Sequence, residues 1–213
     1  RLTKTSAASG STAISDGCKI VQTPAIAFAV SALSSDSRTG FDFSEIARSA
    51  LAASGGPLDT RLDVVEAALA PKMKAAIDGI RADFPKVYET FRKGKVGEAV
   101  FAAWEDGHPV LIEEDWQIAP DGSIGHERFR ATEDQNLLMI GSGADAILRY
   151  VNLNDDWWKA PAPQALERLI RAAIDDAAAT HADDVGGEIA ILAVDASGQK
   201  WLRAGKCADT AAR

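Results

Sequence analysis

Two long strand signals joined by a tight turn constrain this chain more than any other feature. Val96 to Trp104 and Val110 to Ile118 are rich in apolar and β-prone residues, and Glu105-Asp106-Gly107 opens the turn between them. Such a pairing is the signature of a β-hairpin. Around it the elements come in an uneven order. Lys19 to Leu33 reads as two short strands broken at Pro24, because proline cannot donate to a central ladder. The apolar run after Pro24 suits a strand covered on both faces. Helices then cluster in two places rather than alternating with strands, which predicts an α+β fold and not a doubly wound sheet.

The first helical cluster starts near Phe43, where Asp42 or Ser44 can cap it, and stops at Gly55-Gly56-Pro57. A second helix opens at Asp59-Thr60, with Asp63 placed as a capping-box partner, and runs to about Asp83. Pro71 should begin a new turn or kink it. A short helix spans Val87 to Arg92. After the hairpin come a turn at Asp121-Gly122, a strand over Ile124 to Phe129, and a brief apolar strand over Asn136 to Ile140. Gly141-Ser142-Gly143 then opens a helix toward Tyr150. Leu166, Leu169, Ile170, Ala173, Ile174 and Ala177 repeat at helical spacing and mark the clearest helix. The connection Asn152 to Pro163 carries Trp157 and Trp158, expected as buried anchors. Strands at Glu188 to Val194 and at Trp201-Leu202 follow. Residues 1–213 are expected to form one domain, with 1–17 a flexible arm or a loose hairpin. Arg1 at the start marks a processed chain or a fragment.

Composition excludes several classes of function. The net charge of −8 argues against a phosphate-backbone partner, since nucleic-acid binding needs a basic stripe. The apolar run Ala25 to Leu33 is shorter than the roughly 20 residues a membrane helix needs, and no signal peptide is visible. Cys18 and Cys207 are far apart and lack metal-ligand spacing, so no metal or other cofactor is expected. A lone, distant pair suits a reducing compartment, hence a cytoplasmic protein. His108, His126 and His181 are scattered, there is no GxSxG elbow, and Gly141-Ser142-Gly143 is not a phosphate loop. Glu113-Glu114-Asp115 alternate faces along a strand and are expected on a solvated edge.

Three stretches together resemble the proteasome β-subunit family of N-terminal-nucleophile (Ntn) hydrolases. They are Asp16-Gly-Cys-Lys19-Ile20 with the strand ending Ala29-Val30-Ser31-Ala32-Leu33, then Asn136-Leu-Leu-Met-Ile-Gly141-Ser142-Gly143-Ala144, then Asp183-Asp184-Val185-Gly186-Gly187-Glu188-Ile189. Their order and spacing cover nearly the whole chain. The resemblance implies a four-layer αββα sandwich of two antiparallel sheets. It also implies amide or peptide bond hydrolysis by an N-terminal Thr, Ser or Cys whose own α-amine is the general base, and a homo-oligomeric assembly.

On that resemblance Lys19 matches the lysine that favours the neutral form of the α-amine, a role read from residues alone as a surface lysine. Ser142 matches the helix-entry serine near that amine and also suits an N-cap. Asp183 or Asp184 supplies the acidic residue, while Val185 stands where the family has serine. Ala32 stands where the family has a glycine whose N–H forms the oxyanion hole. Arg1-Leu2-Thr3 matches the segment following the family's first hairpin, so the nucleophile is not in this chain; Thr3, Thr5 and Ser6 are not terminal. The alternative is a catalytically inactive structural or assembly subunit of the same fold.

Overall fold

A computed structural model of the chain describes residues 2–5 and 12–15 as backbone, and residues 18–134, 137–141, 143–180, 188–205 and 207 with their side chains. They fall into two compact units, one of residues 1–20, 139–193 and 199–213, the other of residues 21–138 and 194–198. The architecture is α+β, with five α-helices and antiparallel pairings among the described residues.

In the first unit, β1 (Leu2–Thr5) and β2 (Thr12–Ser15) pair antiparallel, which makes the N-terminal stretch a hairpin. The second unit is built on a sheet in the order β3-β4-β7-β8-β9. Its strands are β3 (Ile20–Gln22) and β4 (Ile26–Ala32), followed, after the two-residue strands β5 (Ser35–Asp36) and β6 (Phe41–Asp42), by β7 (Lys95–Glu105), β8 (His108–Ile118) and β9 (Ile124–Arg130). Pro24 lies between β3 and β4, where no ladder hydrogen bond is lost.

Three helices follow β6: α1 (Phe43–Ala53), α2 (Leu58–Asp83) and α3 (Pro85–Lys93). Asp42 caps α1, its carboxylate accepting the Glu45 N–H at 3.0 Å. The capping box expected at the start of α2 does not form. Leu58 N–H instead donates to Glu105 Oε1 at 2.5 Å, so β7 caps the helix from outside. Nor does Pro71 break α2. It lies on the exposed face, where water can serve the carbonyl that proline leaves without its usual donor. Leu58, Leu62, Val65, Leu69, Met73, Ile77 and Ile80 form the buried stripe of α2. Each such side chain contributes about 1.5–3 kcal/mol on burial. The stripe meets Ile26, Phe28, Phe101, Ile112 and Trp116 from the sheet, with Phe28 stacked on Phe101 at 5.2 Å and Phe43 edge-on to Trp116 at 5.2 Å. Gly97 packs tightly here, since an added Cβ would come within 3.1 Å of Met73 Cε.

The first unit also contains α4 (Ala144–Leu153) and α5 (Ala162–Ala179). Ala165, Leu169, Ala173 and Ala177 make the buried seam of α5, whose small residues admit close helix packing. Leu166, expected in that seam, is 36% exposed. Residues 137–140 form no strand, and the tryptophan connection also departs from expectation, since Trp158 is 63% exposed. β10 (Ile191–Asp195) and β11 (Gly198–Arg203) close the described chain as a two-stranded pair. Cys18 and Cys207 are joined by a disulfide. The pair therefore lends no support to the reducing, cytoplasmic setting expected from its spacing. No helix among the described residues is long and apolar enough to cross a membrane.

Candidate functional site

Ala32 ends β4 with φ +63°, in the left-handed region that a non-glycine residue enters at a cost of about 1 kcal/mol or more. Such a backbone persists only where its surroundings over-determine it. Here they do. Ala32 pairs in register with Gly97, and the next residue, Leu33, donates its N–H to Val96 O at 2.8 Å. Phe43 N–H then donates to Ser34 O at 2.9 Å. Asp36, 8% exposed, accepts from Arg38 Nε at 2.9 Å and from Thr39 Oγ1 at 3.0 Å, and Arg38 reaches Asp83 at 2.8 Å. Asp36, Arg38 and Thr39 had drawn no attention in the sequence; Asp-Ser-Arg-Thr before a glycine carries the turn signal that could have found them. Ala32 itself is exposed. A backbone amide held in a fixed, irregular geometry is the kind of group that can serve a developing negative charge.

Lys19 is exposed and immediately precedes β3. It belongs to the first unit and Ala32 to the second. Ser142 and Asp183 lie outside the described residues, as do Asp184, Val185 and His181.

Two further polar clusters sit on opposite faces of β8, and they overturn the expectation of a solvated edge. β8 lies between β7 and β9, and Glu113, Glu114 and Asp115 are 9%, 0% and 7% exposed. Glu114 faces α2. It accepts from Arg128 Nε at 2.5 Å and pairs with His126 Nε2. His126 Nδ1 lies 3.3 Å from Glu66, Arg128 Nη1 is 2.8 Å from Asp63, and Arg130 pairs with Asp59. Three acids at i, i+4 and i+7 on α2 thus meet three basic residues at i, i+2 and i+4 on β9. The rows run alongside each other because about 10.5 Å of helix rise is comparable to about 13.6 Å along a strand, and long side chains cover the rest. The hydrogen bond to Glu114 raises the His126 pKa; burial opposes it, and the charges of Glu114 and Glu66 add to it.

On the other face Lys95 Nζ lies 2.7 Å from Asp115, 2.9 Å from Glu98 and 3.6 Å from Glu113. Burial pushes the Glu113 carboxyl up, helped by the neighbouring charge of Asp115. Burial also pushes Asp115 up, and outweighs its hydrogen bond to Lys95. For Lys95 burial works the other way, yet the hydrogen bonds to Asp115 and Glu98 prevail and hold its pKa well above the ordinary range. One ammonium therefore serves three carboxylates. Neither cluster joins a nucleophile to a base, and among the described residues no group of His, Cys, Asp and Glu could hold a metal ion. Both clusters hold the sheet together, leaving the braced end of β4 as the candidate site. The chain matches no family model and no curated protein.

Proposed function

We propose that the chain is a proteasome-like Ntn hydrolase that cleaves amide or peptide bonds through an N-terminal nucleophile not present in this sequence. The observation that carries this reading is Ala32. Its left-handed backbone, at the end of an apolar strand followed by two short strands and three helices, stands where the resemblance puts the oxyanion-hole glycine. In that role its N–H would stabilise the tetrahedral oxyanion, while Lys19 would keep the nucleophile's α-amine neutral near pH 8. Ser142 and Asp183 would complete the polar surroundings of that amine. The same reading carries the four-layer αββα sandwich and an oligomer assembled through α1 and α2. The Cys18–Cys207 bond favours an oxidising compartment over the cytoplasm as its place of work.

The decisive experiment is N-terminal sequencing and intact mass of the mature natural protein, before and after exposure to an electrophilic β-lactone probe. The expected outcome is a terminal Thr, Ser or Cys carrying one covalent adduct, together with turnover of fluorogenic peptide amides. A mature chain that starts at Arg1, takes no adduct and turns nothing over sinks the enzyme reading. It leaves the inactive structural subunit. A strictly monomeric mass by light scattering removes the assembly part of either reading.

A further inference from the structure

The two cysteines of this chain are 189 residues apart in sequence, yet their Cα atoms are 4.7 Å apart and their sulfurs are bonded. Cys18 immediately precedes Lys19, and neither lies in a regular element, since β3 begins only at Ile20. Cys207 is 2% exposed, and its N–H donates to Ala204 O at 2.9 Å. Two residues earlier, Gly205 passes so close to the lead-in of β10 that an added Cβ would meet Ile189 O at 3.1 Å and Glu188 Oε2 at 3.4 Å. With φ +50°, Gly205 is also in the left-handed region. The segment after β11 is thereby fixed at two points, one against residues 188–189 and one by a covalent bond to the neighbour of Lys19. All of these residues belong to the first unit.

We propose that the Cys18–Cys207 bridge is a positioning clamp for Lys19, holding its segment in place only while the bond is oxidised. The proposal rests on the reading of Lys19 given above. A short irregular stretch has little to order it, whereas a covalent tie to a buried residue removes most of its freedom at the adjacent position. Reduction by a dithiol delivers two electrons and two protons to the bridge. The S–S bond breaks, two thiols form, and the reagent closes to its cyclic disulfide. The Lys19 segment then loses its tie, and the charge beside the terminal amine is no longer held. The pKa of that amine rises, because a nearby positive charge was what favoured its neutral form.

The test uses the full natural protein, prepared without reductant. Alkylation under denaturing conditions followed by peptide mapping is expected to find Cys18 and Cys207 unlabelled before dithiothreitol and both labelled after it; labelling of both at the outset overturns the proposal. Hydrogen exchange of the peptide carrying Lys19 and Ile20 is expected to quicken roughly tenfold or more on reduction, with β7 and β8 unchanged. A Cys18→Ala, Cys207→Val double variant, read without reductant, should reproduce the faster exchange. Unchanged exchange in both the reduced protein and the variant overturns the clamp. For amide hydrolysis, the acid limb of the kcat/KM profile should move to higher pH on reduction. Lys19→Ala should cause the same shift, and reducing that variant should add nothing further. Shifts that simply add show that the bridge does not act through Lys19. If neither redox form hydrolyses any amide, the hydrolase reading falls, and the clamp is judged by exchange alone.

Discussion

The two faces of β8 treat the same run of acids in opposite ways. Toward α2, Glu114 is fully buried and pairs with Arg128 and His126, which in turn meet Asp63 and Glu66 on the helix. On the other face, Glu113 and Asp115 share Lys95 with Glu98. Burial alone is therefore no guide to what a carboxylate contributes. What matters is how many partners each buried carboxylate is given. A matched network joins helix layer to sheet, whereas an unmatched one leaves carboxyls whose ionisation the fold resists.

Removing Arg128 breaks the matched face most severely. Arg128→Met leaves Glu114 with one partner, and chemical denaturation should show a loss of about 3 kcal/mol, at the low end for a broken buried pair because Arg128 is 21% exposed. Lys95→Met breaks the unmatched face and should lose about 2 kcal/mol at neutral pH, less because Lys95 is 42% exposed. That loss should shrink on acidification. Glu113 and Asp115, whose pKa values are raised, impose no charge cost once protonated.

The comparison sharpens with pH at His126. Its pKa in the folded chain lies above the ordinary 6.5. A raised histidine contributes stability fully present below about 6.5, and that contribution is lost as pH rises through the folded value. Thermal melts should therefore show the wild type losing stability above pH 6.5, with a flatter profile for His126→Asn. The smallest effect is expected away from both faces. Ala32→Gly relieves the left-handed alanine and should raise stability by about 0.5 kcal/mol, the added freedom of the unfolded chain offsetting part of the gain.

Local signals were legible and long-range ones were not. The β7–β8 hairpin, the Asp42 cap and the break at Pro24 each follow from residues a few positions apart, and each formed. Whether Glu113-Glu114-Asp115 lay at an edge depended on β9. Its sequence, Ile-Gly-His-Glu-Arg-Phe-Arg, has no apolar face to announce a partner. Asp63 was misread for a related reason. The spacing that suits a capping box from Thr60 is also the spacing that aims an acid at Arg128. The disulfide was invisible because nothing local says that two cysteines 189 residues apart come within bonding distance. Of the candidate site, Lys19 and Ala32 were reached only through resemblance. Nothing in an alanine announces a positive φ.

The facing rows on α2 and β9 have a consequence for how this sheet finds its alignment. If β9 slid by one residue along β8, His126, Arg128 and Arg130 would swing to the opposite face. There they would meet Glu113 and Asp115, so attraction to β8 by itself cannot tell the two alignments apart. Asp59, Asp63 and Glu66 break the tie, since only the native alignment satisfies the helix as well. An insertion or deletion of one residue between Asp59 and Glu66, or within β9, would erase that preference at a stroke, whereas swapping one charged pair for another would leave it intact.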